Sequence, residues 1–213
     1  RVDASEAWPQ LIAGDGGFLA WDHEDPEVRY TTYVRLSVQR WIGPTLTNIS
    51  GPWGSEPRNF IAPLVMDPED SDTLLGGTNR VWRTRNASGG ALWQPISTDE
   101  VAGTGTINVM AVRGDTIYTG SSTGAVWVTT DDGATWTDRS EGLPLGQVSD
   151  IEVRPDLATT VYVSRYSTGG PRLHRSFDGG ATWEDLTFDL PPGVGITALA
   201  IDWDLEEPRI YIG

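Results

Sequence analysis

The side chains able to do chemistry in these 213 residues are unevenly supplied. There is no cysteine, which excludes disulfides, thiolate nucleophiles and cysteine-ligated zinc. The two histidines, His23 and His174, stand apart from each other and from any spacing that makes a zinc pair or a triad. Carboxylates are plentiful. The runs Asp22-His23-Glu24-Asp25-Pro26 and Asp67-Pro68-Glu69-Asp70-Ser71-Asp72 gather oxygen ligands, yet they lack the glycine-punctuated loop of an EF-hand and read as acidic turns. No metal and no cofactor is expected. Glycoside hydrolysis needs two carboxyl groups across one cleft. Asp15, Asp99, Glu100 and Asp150 are the candidates, but nothing in the sequence pairs them, so no catalytic residue is assigned. Asn48-Ile49-Ser50 and Asn86-Ala87-Ser88 match the glycosylation sequon, a pattern that often arises by chance.

The sharpest pattern is structural. Ser176-Phe177-Asp178-Gly179-Gly180-Ala181-Thr182-Trp183 is a Ser-x-Asp-x-Gly-x-Thr-Trp motif, and Thr129 to Trp136 repeats it with only Thr for Ser. Its chemistry is that of a hairpin. Asp131 or Asp178 can accept backbone N–H groups of its own turn, and Gly133 or Gly180 permits positive φ where the chain reverses. Thr135 or Thr182 and Trp136 or Trp183 then re-enter a strand, where the indole packs between neighbouring sheets. Thr84 to Trp93 is a decayed copy with Asn86 for Asp, and Gln39 to Leu46 a weaker one that keeps Gly43 and Thr45.

These turns sit inside a longer repeat. The apolar tetrapeptides Leu19–Asp22, Leu64–Asp67, Met110–Arg113, Ile151–Arg154 and Leu199–Asp202 recur at spacings of 45, 46, 41 and 48 residues. Each precedes a polar turn and a second strand, and a period of about 40–50 residues with four strands is that of a β-propeller blade. The chain resembles the Asp-box, or BNR-repeat, propellers along its length, a group that includes bacterial BNR-like, sortilin-type and sialidase-type proteins. That resemblance implies an all-β fold of four-stranded antiparallel blades, with the boxes structural and remote from any active site.

One propeller segment therefore spans residues 1–213. Residues 1–16 end a preceding blade, blades occupy about 17–50, 61–98, 107–140 and 149–188, and 196–213 begin another. Ala7-Trp8-Pro9-Gln10-Leu11 reads as an outer strand. An incomplete part of a six- to ten-bladed ring is expected, its remaining blades coming from the same longer chain or a partner subunit.

Composition narrows the partners. A net charge of −15, with arginine as the sole strong base, argues against nucleic acid. No stretch reaches the roughly 18 apolar residues of a membrane span. Strand alternation puts the boxes at the bottom of the propeller and the turns between second and third strands at the top, with the blade-to-blade links. The top then presents Asp15, Tyr33, Arg35, Arg58, Asn79, Arg80, Arg165 and Tyr166 as candidate ligand contacts. Several arginines on one face are similar to the sialidase cluster that grips a carboxylate. No Arg-Ile-Pro element stands ahead of the first box, and no obvious Tyr and Glu pair offers the nucleophile and base of those enzymes. The expectation is a non-catalytic, extracellular or cell-surface module binding protein or glycan. The alternative is a glycoside hydrolase, sialidase- or xyloglucanase-like, with its site at the top of the channel.

Overall fold

The computed structural model describes residues 15–188, 190–205 and 208–213. The expected outer strand at Ala7–Leu11 lies outside them. The described residues fold into successive antiparallel sheets, each built from strands adjacent in sequence. The first contains β1 (Leu19–Trp21), β2 (Val28–Tyr33), β3 (Ser37–Ile42) and β4 (Thr45–Asn48). The second contains β5 (Leu64–Asp67), β6 (Asp70–Gly77), β7 (Val81–Thr84) and β8 (Gln94–Pro95). The third contains β9 (Ile107–Arg113), β10 (Thr116–Ser121), β11 (Val126–Thr129) and β12 (Thr137–Asp138). The fourth contains β13 (Val148–Val153), β14 (Val161–Arg165), β15 (Leu173–Ser176) and β16 (Glu184–Asp185). Strands β17 (Leu199–Asp202) and β18 (Arg209–Ile212) pair in a fifth. The first strands β1, β5, β9, β13 and β17 lie side by side in that order. This is a β-propeller segment of four-stranded antiparallel blades.

The sheets stack face to face, so the core lies between blades. Tyr30, Leu36 and Val38 of the first sheet meet Leu64, Leu74 and Trp82 of the second. Leu75 and Val81 meet Met110, Val112 and Ile117 of the third, whose Tyr118, Val126 and Val128 meet Ile151, Val153 and Val163 of the fourth. Tyr162 and Leu173 pack on Ile196 and Leu199. Each blade thus shields one apolar face of its neighbour, and truncating a sealed residue such as Leu74 to alanine costs about 2–5 kcal/mol. Two second strands carry a glycine at or next to their last residue, where the next inner strand crosses. A Cβ at Gly120 would lie 2.4 Å from a methyl of Val148, and one at Gly77 would lie 3.0 Å from a methyl of Ile107.

The two ends of the blades differ. At the bottom, each turn between third and fourth strands hydrogen-bonds the turn between first and second: Ala87 N–H to Asp72 O, Asp132 N–H to Asp115 O, Gly179 N–H to Thr159 O, at 2.9–3.0 Å. At the top, links and the turns between second and third strands meet, as where Arg35 N–H donates to Phe60 O (2.7 Å) and Tyr166 N–H to Gln147 O (3.0 Å). The first blade departs from the repeat: a tight Gly43-Pro44 reversal replaces the box turn.

Candidate functional site

The two complete motif turns are closed by their own side chains. Asp178 accepts the hydroxyls of Ser176 and Thr182 at 2.7 Å and the N–H of Thr182 at 2.9 Å. Ser176 Oγ in turn accepts the N–H groups of Asp178 and Gly180, at 3.1 and 2.8 Å. Asp131 is held in the same way by Thr129 and Thr135. Hydrogen bonds from the threonine after each aspartate pull both carboxyls down to about 2. Gly133 and Gly180 carry φ of 88° and 85°. Both oxygens of each aspartate are therefore engaged by the turn that they organise. The acidic turns behave alike: Asp22 Oδ1 accepts the N–H groups of Glu24 and Asp25, and Asp67 Oδ1 that of Glu69. Among the described residues no group of three or more His, Asp or Glu is arranged to hold a metal.

The top-face candidates divide in two. One set is consumed by the fold. Arg165 is fully buried and donates to the carbonyls of Gly146 (2.7 Å) and Gly124 (3.1 Å), tying two blades; burial drags its pKa down to about 10. Arg80 Nε pairs with Glu56 at 3.0 Å, and Arg58 donates to the carbonyls of Glu56 and Gly54. Asn79 is half-buried beside them. Glu56 is the organiser of that corner, accepting also from Thr78 Oγ1 (2.7 Å) and Trp82 Nε1 (2.8 Å). Trp53, which shares the link, is buried edge-on against Trp82 and Trp93.

The other set is displayed. Asp15, Tyr33, Arg35 and Tyr166 are exposed. Arg35 and Leu36 both adopt left-handed φ (56° and 60°), an unfavourable state for residues with a Cβ. The strain is held by Leu36, sealed in the core, and by the Arg35 N–H to Phe60 O bond. This turn throws the Arg35 side chain outward, and its guanidinium has no partner among the described residues. The same bond sets Phe60, 55% exposed, against the Tyr33–Arg35 turn. Tyr166 belongs to the fourth blade, three blades from Tyr33, and lies beside Gly195.

The inner wall holds acids that sequence reasoning weighed only in part. Asp150 is committed: its Oδ2 accepts Leu199 N–H at 2.8 Å, joining the fourth blade to the fifth, and burial raises its pKa. Asp99 and Glu100 open a 3-10 turn, Asp99–Ala102. Glu152 shares a strand face with Asp150, and burial followed by the Asp150 charge pushes its carboxyl up to about 7. Its repeat position is Ala20, Val65, Ala111 and Ala200 in the other blades, so the anomaly was visible in the alignment. Phe60 and Glu56 had no such signal, since the links do not repeat. His174 is buried where the neighbouring blades have Trp82 and Trp127, and burial lowers its pKa to about 4, leaving it neutral near pH 7.

No protein-family model matches the chain, and no curated protein matches it in sequence. Its shape does have counterparts among solved structures. The GH74 xyloglucanase from Xanthomonas campestris is similar with a TM-score of 0.65 and 16% identity, over 91% of this chain and 33% of that one. The GH74 enzyme from Niastella koreensis gives 0.65 and 16%, over 95% and 34%. The extracellular domain assigned to a hybrid two-component system of B. thetaiotaomicron gives 0.59 and 10%, over 90% and 25%. The chain thus spans about a third of the length of the two GH74 enzymes. At such identities the likeness establishes the β-propeller fold, which enzymes and non-enzymes share.

Proposed function

We propose that this chain is part of an exported, Asp-box-type β-propeller that binds a ligand without catalysis, and that a glycan is the ligand class its top face suits best. The observation that carries this reading is the Tyr33–Arg35–Phe60 cluster. A strained turn displays an uncommitted guanidinium beside the exposed Tyr33, and the Arg35 N–H to Phe60 O bond brings the chain at a second exposed aromatic residue to the same turn; strain held in place by packing is characteristic of functional sites. Aromatic faces stack on the apolar faces of sugars, while a guanidinium donates to hydroxyl or carboxylate oxygens. A protein partner reading the same cluster is the other form of this proposal. Further blades, from a longer chain or a partner subunit, flank the segment on this reading.

The test is an array of neutral and acidic glycans probed with the protein and its Tyr33→Ala and Arg35→Ala variants. Selective retention that falls about tenfold or more in either variant, without a change in unfolding temperature, supports the reading. Retention that both variants share, or none at all, would sink it.

One observation favours the hydrolase alternative. Asp150 and Glu152 lie two residues apart on one strand face, about 7 Å by strand rise, within the range for paired glycosidase carboxyls. Against it, Asp150 is bound to Leu199 N–H. Release of reducing sugar from xyloglucan or a sialoside, abolished by Glu152→Gln, would favour the enzyme over the binding module.

A further inference from the structure

At two positions of the inner strand the fourth blade departs from the others. Where it has Asp150 and Glu152, the first blade has Phe18 and Ala20, the second Pro63 and Val65, the third Val109 and Ala111, and the fifth Ala198 and Ala200. Two carboxyls thus replace a pair of apolar side chains. They sit two residues apart on one face of β13, about 7 Å by strand rise, and both are half-buried.

The two carboxyls are held differently. Asp150 Oδ2 accepts Leu199 N–H of the fifth blade at 2.8 Å, and its Oδ1 accepts Ile151 N–H at 2.9 Å. Glu152 has no hydrogen-bond partner among the described residues. Across the sheet it lies opposite Tyr162, whose ring meets Trp203 of the fifth blade edge-on at 5.7 Å. The charged groups around it offer little compensation. Arg154, next on the same face, is bound to Asp156, and Arg175, beyond Tyr162, is bound to Glu184. Arg113 of β9 attracts a charge on Glu152, but less strongly than Asp150 repels it. From β17 come the apolar Leu199 and Ile201, while Asp202 accepts Asp204 N–H in its own turn. Strand β10 meets the other face of β13 through Tyr118. Burial first, and the Asp150 charge second, therefore keep the Glu152 carboxyl protonated up to about 7.

We propose that Asp150 and Glu152 form a pH-operated latch between the fourth and fifth blades, closed while Glu152 is protonated and released when it ionises. Protonated, Glu152 lies between the blades beside a charged Asp150 without adding a second negative charge. Ionised, it turns towards water and repels Asp150, and both effects act on the strand face that holds Leu199. The closed junction binds a proton that the open one gives up, so closure is favoured below neutral pH and is lost as pH rises through about 7. The latch is independent of what the top face binds.

The test reads the Leu199 amide. Ala198 and Gly213 exchange N–H···O bonds in the β17–β18 ladder, so Leu199, the next residue, turns its N–H away from β18 and towards Asp150. Hydrogen exchange of that amide, corrected for the intrinsic rate at each pH, loses about tenfold of its protection between about pH 5.5 and about pH 8. The loss is unchanged in about 1 M urea, the mark of local opening, whereas the amides of β6 in the second blade are urea-sensitive. Glu152→Gln and Glu152→Ala, the latter giving the residue found in the first, third and fifth blades, each hold the protection constant over the same range. Constant protection in the unaltered protein would overturn the latch, as would an equal loss in both variants. So would a Leu199 amide with the urea dependence of β6, because the junction would then open only with the whole fold. None of these outcomes bears on the glycan assay at Tyr33 and Arg35.

Discussion

Trp183→Phe isolates the bond by which the indole of the fourth blade fastens to the third. The substitution keeps an aromatic ring between the third and fourth blades and removes the one donor that reaches Arg139 O at 2.9 Å. The net worth of such a bond is about 1 kcal/mol, and a half-buried carbonyl left without its donor adds roughly another. The loss should thus be near 2 kcal/mol, which for a chain of this size lowers the unfolding temperature by about 4–8 °C. Urea unfolding followed by circular dichroism measures it directly. Trp127→Phe is the control, because that indole packs in the core without an indole-to-carbonyl bond among the described residues. Trp136→Phe, acting at a different junction through Ile96 O, should give a similar loss that adds to the first. If Trp183→Phe matches Trp127→Phe, or costs less than about 0.5 kcal/mol, the indole–carbonyl bond contributes nothing beyond packing and the reasoning fails.

Glu152 makes stability depend on pH in an unusual direction. Its folded carboxyl titrates at about 7 and its unfolded one at the ordinary lower value, so the folded state holds the extra proton between them. Stability therefore falls as pH rises from about 4.5 to 7, by on the order of 1 kcal/mol after discounting for partial exposure, and Glu152→Gln should flatten that slope in pH-dependent melting. Asp131 and Asp178 act oppositely: with folded values of about 2, their stabilisation is present at neutral pH and is lost only as pH falls from about 4 towards 2. Asp178→Ala should speed hydrogen exchange at the Thr182 amide at pH 7 while leaving the Thr135 amide unchanged. Tyr33→Ala and Arg35→Ala should each lower glycan retention by about tenfold with less than about 0.5 kcal/mol change in stability, read by array binding and melting together.

The fold was legible because its signals are local and repeated. An apolar tetrapeptide such as Ile151–Arg154 and a turn such as Ser176–Trp183 encode strand, reversal and packing residue within one blade length, and recurrence multiplies a weak signal. The site was legible only in outline, because charge and top-face position do not say whether a side chain is free. Arg165 and Arg35 are both arginines next to a turn between second and third strands. One points inward to two carbonyls across a blade junction, the other outward from a left-handed turn. That difference depends on how adjacent blades approach, through contacts some 20–40 residues away in sequence. Phe60 and Glu56 lie in a link without a repeat counterpart, so periodicity could not reach them. The tripeptide Asn48-Ile49-Ser50 looked like a glycosylation sequon, and its Asn48 and Ser50 side chains are engaged in closing the first blade.

The indole N–H groups of Trp93, Trp136 and Trp183 donate to the carbonyls of Ile49, Ile96 and Arg139, so at these three junctions the donor is the later blade and the acceptor the earlier one, 40 to 44 residues behind. A polypeptide leaving the ribosome would thus fasten each blade only after most of the following one had emerged, so assembly proceeds in the order of synthesis. Pulled from its two ends, the same molecule should come apart in steps, with each step releasing one junction. Neighbours that interact only pairwise behave as a linear array of coupled units, and here the coupling between units has a named atom on each side.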